Sequence, residues 1–249
     1  MDTTSFIILA AGKGSRMNSN LPKVLHPLHG KPLVHHSLDT LQSLNTQTEH
    51  RYHMVVGYQA DTVQTATKHY PIHYSLQHEQ LGTGHAVQQA LATTVTADEH
   101  TLVILPGDCP LISPETVLNL LTTHRESSAA ATVLTAQLPD PGAYGRILRN
   151  ADGDLIGIQE AKDCTPDQLT IPEINAGIYV FDREALITSI QTLTCTNAQG
   201  EYYLTDVIAT LSRAHTTVSS VCTPNPTEAM GVNTADELAV LAASHPPPQ

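Results

Sequence analysis

Apolar and polar positions follow two different rhythms along this chain. Short runs rich in Val, Ile, Leu, Phe and Tyr at residues 6–10, 52–56, 72–76, 102–105, 130–135, 174–181 and 218–221 read as buried strands. Between the early runs, at 34–44, 59–69, 84–92 and 114–124, apolar residues recur every three to four positions, the spacing of one helix face. Parallel neighbours need a crossover, and a helix supplies it, so this alternation predicts an α/β fold: a mostly parallel central sheet with helices on both faces. Ligands in such sheets bind beyond the carboxyl ends of the strands.

The second half changes character. Residues 146–148 and 155–158 flank Asn150-Ala151-Asp152-Gly153-Asp154, which predicts a small β-hairpin region. Residues 160–172 are polar and read as a surface loop, 203–212 and 235–243 read as helices, and Pro246-Pro247-Pro248 ends ordered structure. With 249 residues the chain is long enough for one large α/β domain, and no internal repeat is visible.

Charge narrows the function classes. The formal net charge of −12 disfavours a nucleic acid polymer or an acidic membrane surface as partner. No run reaches the roughly 18 apolar residues of a membrane span, and the N-terminus lacks a signal-peptide pattern, so a cytoplasmic protein is expected. Cys109, Cys164, Cys195 and Cys222 form no C-x-x-C pair and read as reduced thiols. Among the 14 histidines, His69 and His73 are separated by Pro71, which breaks a helical ligand face.

Against that acidic background the first strand runs into Leu9-Ala10-Ala11-Gly12-Lys13-Gly14-Ser15-Arg16-Met17, with Lys23 in Leu21-Pro22-Lys23-Val24-Leu25. Gly12 and Gly14 let backbone N–H groups approach phosphate oxygens, while Arg16 and Lys23 supply a planar fork and a compact point of charge. Met17 stands where a dinucleotide fingerprint needs its third glycine, and the P-loop spacing is absent. A tight strand-to-helix connection is the bland alternative. Pro106-Gly107-Asp108-Cys109-Pro110 follows strand 102–105 and offers a hard carboxylate ligand for Mg²⁺; a cap for helix 114–124 is the alternative role of Asp108. Gln80-Leu81-Gly82-Thr83-Gly84-His85-Ala86 opens a helix whose N-terminus attracts an anion or a polar base edge.

Taken in order, LAAGKGSRM, LPKVL, QLGTGHA, GDCPL, YGRI, EAKD, INAGIYVF, NAQGEYYLTD and GVN resemble the uridyltransferase domain of bacterial N-acetylglucosamine-1-phosphate uridyltransferases, over residues 5 to about 235. The resemblance implies a Rossmann-like nucleotide-sugar pyrophosphorylase that uses Mg²⁺, UTP and N-acetylglucosamine 1-phosphate. It also implies a single domain over 1–249: a nucleotide-binding half at 5–125, a sugar-phosphate half at 126–235, and a C-terminal helix and tail at 236–249. Leu9, Ala10, Gly12, Gln77, Gly82 and Thr83 then match positions around uracil and ribose, and Gly14, Arg16 and Lys23 those around the triphosphate. Asp108 and Asn233 match the two protein ligands of Mg²⁺, while Gly145, Glu160, Asn175 and Thr205 match the sugar pocket.

Two departures from the family matter. Pro106 stands where an aromatic residue commonly precedes Gly-Asp, which opens the choice of sugar, and the hexapeptide-repeat β-helix that carries acetyl transfer and trimerisation does not follow. Acetyl transfer is therefore expected to be absent and oligomerisation weak or absent. The alternatives are the same chemistry on another sugar phosphate or nucleotide, and a catalytically silent nucleotide-sugar-binding regulatory protein.

Overall fold

The computed structural model describes residues 3–44 and 50–246. Strands are β1 (Thr3–Ala10), β2 (Pro27–Leu28), β3 (Lys31–Pro32), β4 (Arg51–Val56), β5 (Ile72–Leu76), β6 (Glu99–Pro106), β7 (Ala131–Gln137), β8 (Arg146–Arg149), β9 (Leu155–Gln159), β10 (Glu173–Asp182) and β11 (Val218–Cys222). Helices are α1 (Leu33–Ser43), α2 (Ala60–Thr67), α3 (Thr83–Thr93), α4 (Pro114–Glu126), α5 (Pro166–Leu169), α6 (Arg183–Ile190), α7 (Asp206–Arg213) and α8 (Ala235–Ser244).

The central sheet runs β11-β7-β10-β6-β1-β4-β5, with the β8–β9 hairpin joined at β10. β5, β4, β1 and β6 pair in parallel, β11 is parallel to β7, and β10 alone on this path runs antiparallel to both its neighbours. The mostly parallel sheet expected from the sequence is present, with one reversed strand. That reversal has a consequence for the site: the N-terminal end of β10 lies on the same edge as the carboxyl ends of the other strands, and Asn175 pairs with Thr135 near the end of β7.

Period-two burial divides the strands between two cores. Phe6, Ile8, Val103 and Leu105 face α1, α2 and α4 through Leu38, Val63 and Leu120, whereas Ile7, Leu102 and Ile104 face α3, α6 and α7 through Val87, Leu186 and Val207. A third cluster of Met17, Leu28, Leu33, Val232 and Leu241 packs the glycine-rich loop against the segment leading into α8. Two distant parts of the chain therefore meet over the carboxyl edge of the sheet.

The hairpin forms where expected, its turn held by Asn150 Oδ1, which accepts from the amides of Asp152 and Asp154 at 3.0 and 2.8 Å. The polar stretch 160–172 is more ordered than a plain loop: it contains a 3-10 turn at Ala161–Asp163 and α5, whose Thr165 and Gln168 form a reciprocal capping box. α6 has no counterpart among the expected helices. It starts directly from β10, capped by Asp182, which accepts from the Ala185 amide at 2.9 Å. The helix expected at 203–212 begins only at Asp206, and that at 59–69 begins at Ala60 because Gln59 takes a left-handed conformation with φ 48°. Of the proline tail, residues 247 and 248 lie outside the described residues.

Candidate active site

Two cavities open side by side over the carboxyl edge of the sheet. One, of about 280 Å³, is lined by Leu9, Ala10, Gly12, Gln77, Gly82 and Thr83 together with Ala11, Val24, Gln80, Ala86 and Glu201. The other, of about 450 Å³, is lined by Arg16, Gly145, Glu160, Asn175 and Asn233 with Leu138, Tyr144, Gly177, Met230 and Gly231 among others. Lys23, Pro106 and Asp108 line both.

The shared wall carries the charge. Lys23 Nζ forms an ion pair with Asp108 and donates to Asn233 Oδ1 at 3.2 Å, while an Arg16 guanidinium nitrogen donates to the same Oδ1 at 2.9 Å. Asp108 is only 5% exposed and sits just beyond β6, where Gly107 donates its N–H to Leu9 O at 2.9 Å and Val232 donates to Asp108 O at 3.0 Å. Asp108 does not cap the next helix. Ser113 does, accepting from the Thr116 amide at 3.2 Å.

The donor chemistry of Asp108 and Asn233 suits a hard cation. Their side-chain oxygens accept from one Nζ, so both are aimed at a single point, and a carboxylate with an amide carbonyl is a hard donor pair of the kind that leaves further positions to phosphates and water. Among the described residues no group of three or more His, Cys, Asp or Glu side chains forms a closed metal cage.

The glycines serve different ends. Gly12 has open space where a Cβ would point and lines the smaller cavity. Gly14 lines neither cavity; it is left-handed at φ 66°, and a Cβ there would stand 2.5 Å from Lys23 Cβ. In this structure the missing Cβ makes room for the stem of Lys23.

The expectation for the α3 N-terminus also changes. Gly84 N–H donates to Tyr202 O at 2.8 Å, Tyr202 N–H donates to Leu81 O at 2.8 Å, and Thr83 Oγ1 accepts from Leu204 N–H at 3.1 Å. Cβ atoms at Gly82 and Gly84 would approach Tyr202 O to 2.6 and 2.9 Å. Both glycines are thus required by the close approach of segment 201–204, and the Gly84 donor is already taken, leaving less of the helix end for an anion.

In the larger cavity, Asn175 is 8% exposed; its Nδ2 donates to Tyr179 Oη at 2.8 Å and its Oδ1 accepts from Gly177 N–H at 3.1 Å. One donor hydrogen and one lone pair of that amide remain. Gly177, with φ 73°, makes the bulge in β10 that turns this end toward the cavity. Burial pushes the Glu160 carboxyl above its usual range; the Thr205 hydroxyl, donating at 3.0 Å, partly opposes this, and Asp206, Asp163 and Glu201 add repulsion. Thr205 lines neither cavity, and its hydroxyl is directed to Glu160.

Gln80, Glu201, Gly231 and Glu237 lie at or beside the cavities although sequence reasoning did not single them out. Glu237 accepts from Asn233 N–H at 2.6 Å and follows the α8 cap Thr234 by three residues, a legible capping spacing. Gly231, two residues before Asn233 in the GVN triplet, approaches so closely that a Cβ would stand 3.3 Å from Asp108 Oδ2.

Residues 6–170 match the MobA-like NTP transferase domain. The chain belongs to that family. This NTP transferase is 44% identical over 232 residues to a bifunctional protein GlmU of Clostridium acetobutylicum, covering 93% of the chain and 50% of the relative. It is 46% identical over 237 residues to the protein of the same name from Brevibacillus brevis, covering 95% and 50%. The chain thus spans about half the length of the curated relatives it matches. A UDP-glucose pyrophosphorylase complexed with UDP-glucose aligns with a TM-score of 0.73 over 97% of this chain and 98% of that one, at 14% identity, a likeness of fold.

Proposed function

We propose that this NTP transferase joins UTP to N-acetylglucosamine 1-phosphate, giving UDP-N-acetylglucosamine and pyrophosphate. The observation that carries the reading is the Arg16–Lys23–Asp108–Asn233 cluster at the seam of two adjoining cavities. Two substrates that must react with each other need two pockets and charge neutralisation where they meet.

The smaller cavity takes the nucleotide, with Leu9, Ala10, Gly12, Gln77, Gly82 and Thr83 around base and ribose. Glu160, Asn175 and Gly145 hold the sugar in the larger one. An oxygen of the sugar phosphate attacks the α-phosphorus in line, the bond to the bridging oxygen of the β-phosphate breaks, and pyrophosphate leaves. The attacking oxygen is already ionised, so no side chain needs to remove a proton. Arg16 and Lys23 neutralise the charge that develops on the leaving group. Asp108 and Asn233 would hold Mg²⁺, which when bound supplies charge neutralisation between the phosphates of the two substrates.

Asp108→Ala is expected to lower pyrophosphate release in Mg²⁺ by about 10²–10³-fold while the melting temperature stays near that of the wild type. Wild-type turnover in that variant would remove Asp108 from the mechanism. A different acceptor is favoured by one feature: the Pro106 ring, without a polar group, stands beside Lys23 and Asp108 in the wall common to both cavities. A panel of sugar 1-phosphates with UTP, read by pyrophosphate release, decides between the acceptors.

A further inference from the structure

Gln77 follows β5, and its amide is held at one end only. Nε2 donates to Gly82 O at 3.1 Å and lies 3.0 Å from His85 Nδ1. A backbone carbonyl can only accept, so the Gly82 contact fixes the nitrogen at this end of the amide. The second hydrogen of the same NH₂ then goes to His85 Nδ1, which accepts, and in a neutral imidazole the proton resides on Nε2. That nitrogen lies 3.1 Å from Gln89 Nε2; the Gln89 side chain has no other partner among the described residues, and turning its amide over presents the oxygen to the N–H.

Every proton in this chain of bonds is thereby assigned, and one atom is left over. Among the described residues Gln77 Oε1 has no hydrogen-bond partner, and its side chain lines the smaller cavity. His85 lines neither cavity.

We propose that His85 is a positioning residue that locks the Gln77 amide with its oxygen toward the nucleotide, so that the cavity selects pyrimidines carrying an N3–H. The inference rests on the reading of the smaller cavity as the nucleotide pocket and adds how the base is chosen. Uracil and 5-methyluracil present a donor at N3, which pairs with Oε1. Cytosine presents a lone pair there, so two acceptors face each other and both lose their partners on leaving water. Turning the amide over to suit cytosine would set its oxygen against Gly82 O and His85 Nδ1, breaking two bonds to make one.

The test compares UMP, 5-methyl-UMP and CMP binding by calorimetry, and turnover of the corresponding triphosphates, in the wild type, His85→Phe and His85→Asn. The wild type is expected to bind the two N3–H nucleotides alike and CMP about 10–100-fold more weakly. His85→Phe removes one of the two locking bonds, and the uridine-to-cytidine ratio should fall about 3–10-fold. His85→Asn, whose Oδ1 stands in for Nδ1 as acceptor, should restore it. Equal binding of UMP and CMP by the wild type, or an unchanged ratio in a folded His85→Phe, overturns the inference. Where His85→Phe does not fold, His85→Gln, whose amide stands at the place of Nε2 and not of Nδ1, takes its place with the same expectation. If none of the three nucleotides binds, the nucleotide pocket itself is misassigned and this inference falls with it; preferential uridine binding with an indifferent His85 leaves the proposed function standing.

Discussion

At Gly12 and Gly14, two glycines two residues apart differ in what they avoid. A methyl group at Gly12 would meet no protein atom within 4 Å, whereas one at Gly14 would collide with the stem of Lys23 in a left-handed backbone. The first glycine leaves room for something outside the chain; the second leaves room for the chain itself. Gly12→Ala should therefore keep the wild-type melting temperature and raise the KM for the nucleotide by about tenfold, as the new methyl fills the cavity. Steady-state kinetics beside thermal denaturation checks this, and an unchanged KM would mean that the space at Gly12 is not used. The sequence marked both glycines for the same reason, an approach to phosphate. It could not separate them, because the partner of Gly14 lies nine residues on, across a turn whose course depends on packing.

Elements show a similar division. Strands β1, β4, β6, β7 and β10 coincide with apolar runs, because a strand buried on both faces must be largely apolar, and the partly buried edge strands β5 and β11 show as shorter, mixed runs. α6 escaped notice since Asp182 both ends β10 and caps the helix, leaving no turn signal between two rhythms. α5 was legible in principle: Thr165-Pro166-Asp167-Gln168 has capping-box spacing with proline at the first helical position. The connection from β5 into α3 is where element and site meet, since Gly82 has φ 107° and its absent Cβ would lie 2.6 Å from Tyr202 O. Gly82→Ala is expected to cost about 2–4 kcal/mol through strain and displacement of segment 201–204. Chemical denaturation measures the loss, and nucleotide affinity should fall with it because Gly82 and Thr83 line the cavity.

Across the whole molecule, the two edges of the sheet are built for different purposes. At the edge opposite the site, buried Glu99 accepts from His53 Nε2 at 2.6 Å and from the Thr96 amide at 2.7 Å, and Arg51 reaches Glu99 and Asp98 at 3.3 and 2.8 Å. Burial alone pushes the Glu99 carboxyl up, but the bonds from His53 and Thr96 prevail and bring it down to about 2. A carboxyl depressed in the folded state stabilises the fold above its unfolded range, and that contribution is lost as pH falls through the folded value. Between roughly pH 4.5 and 2 the wild type should lose stability on the order of 3 kcal/mol from this group. Glu99→Gln should be less stable at neutral pH and flatten that part of the profile in melting experiments, with the ratio of uridine to cytidine turnover unchanged. An identical acid limb in the variant would remove Glu99 as its source.

Local order in the chain was enough to determine the strands of the central sheet but not the short β2–β3 pair, together with most helices, the hairpin and the sheet class, because burial periodicity and turn chemistry act over a few residues. The motif series also named Arg16, Lys23, Asp108, Asn175 and Asn233 as candidates. Only the tertiary structure decided that β10 reverses and carries Asn175 to the carboxyl edge, and that Thr205 stands behind Glu160. It also brought Asn233 back over 210 residues to the Lys23 ammonium. Those relations join groups distant in sequence, and they arise from strand order and from the packing of Met17 against Val232, which no local pattern encodes.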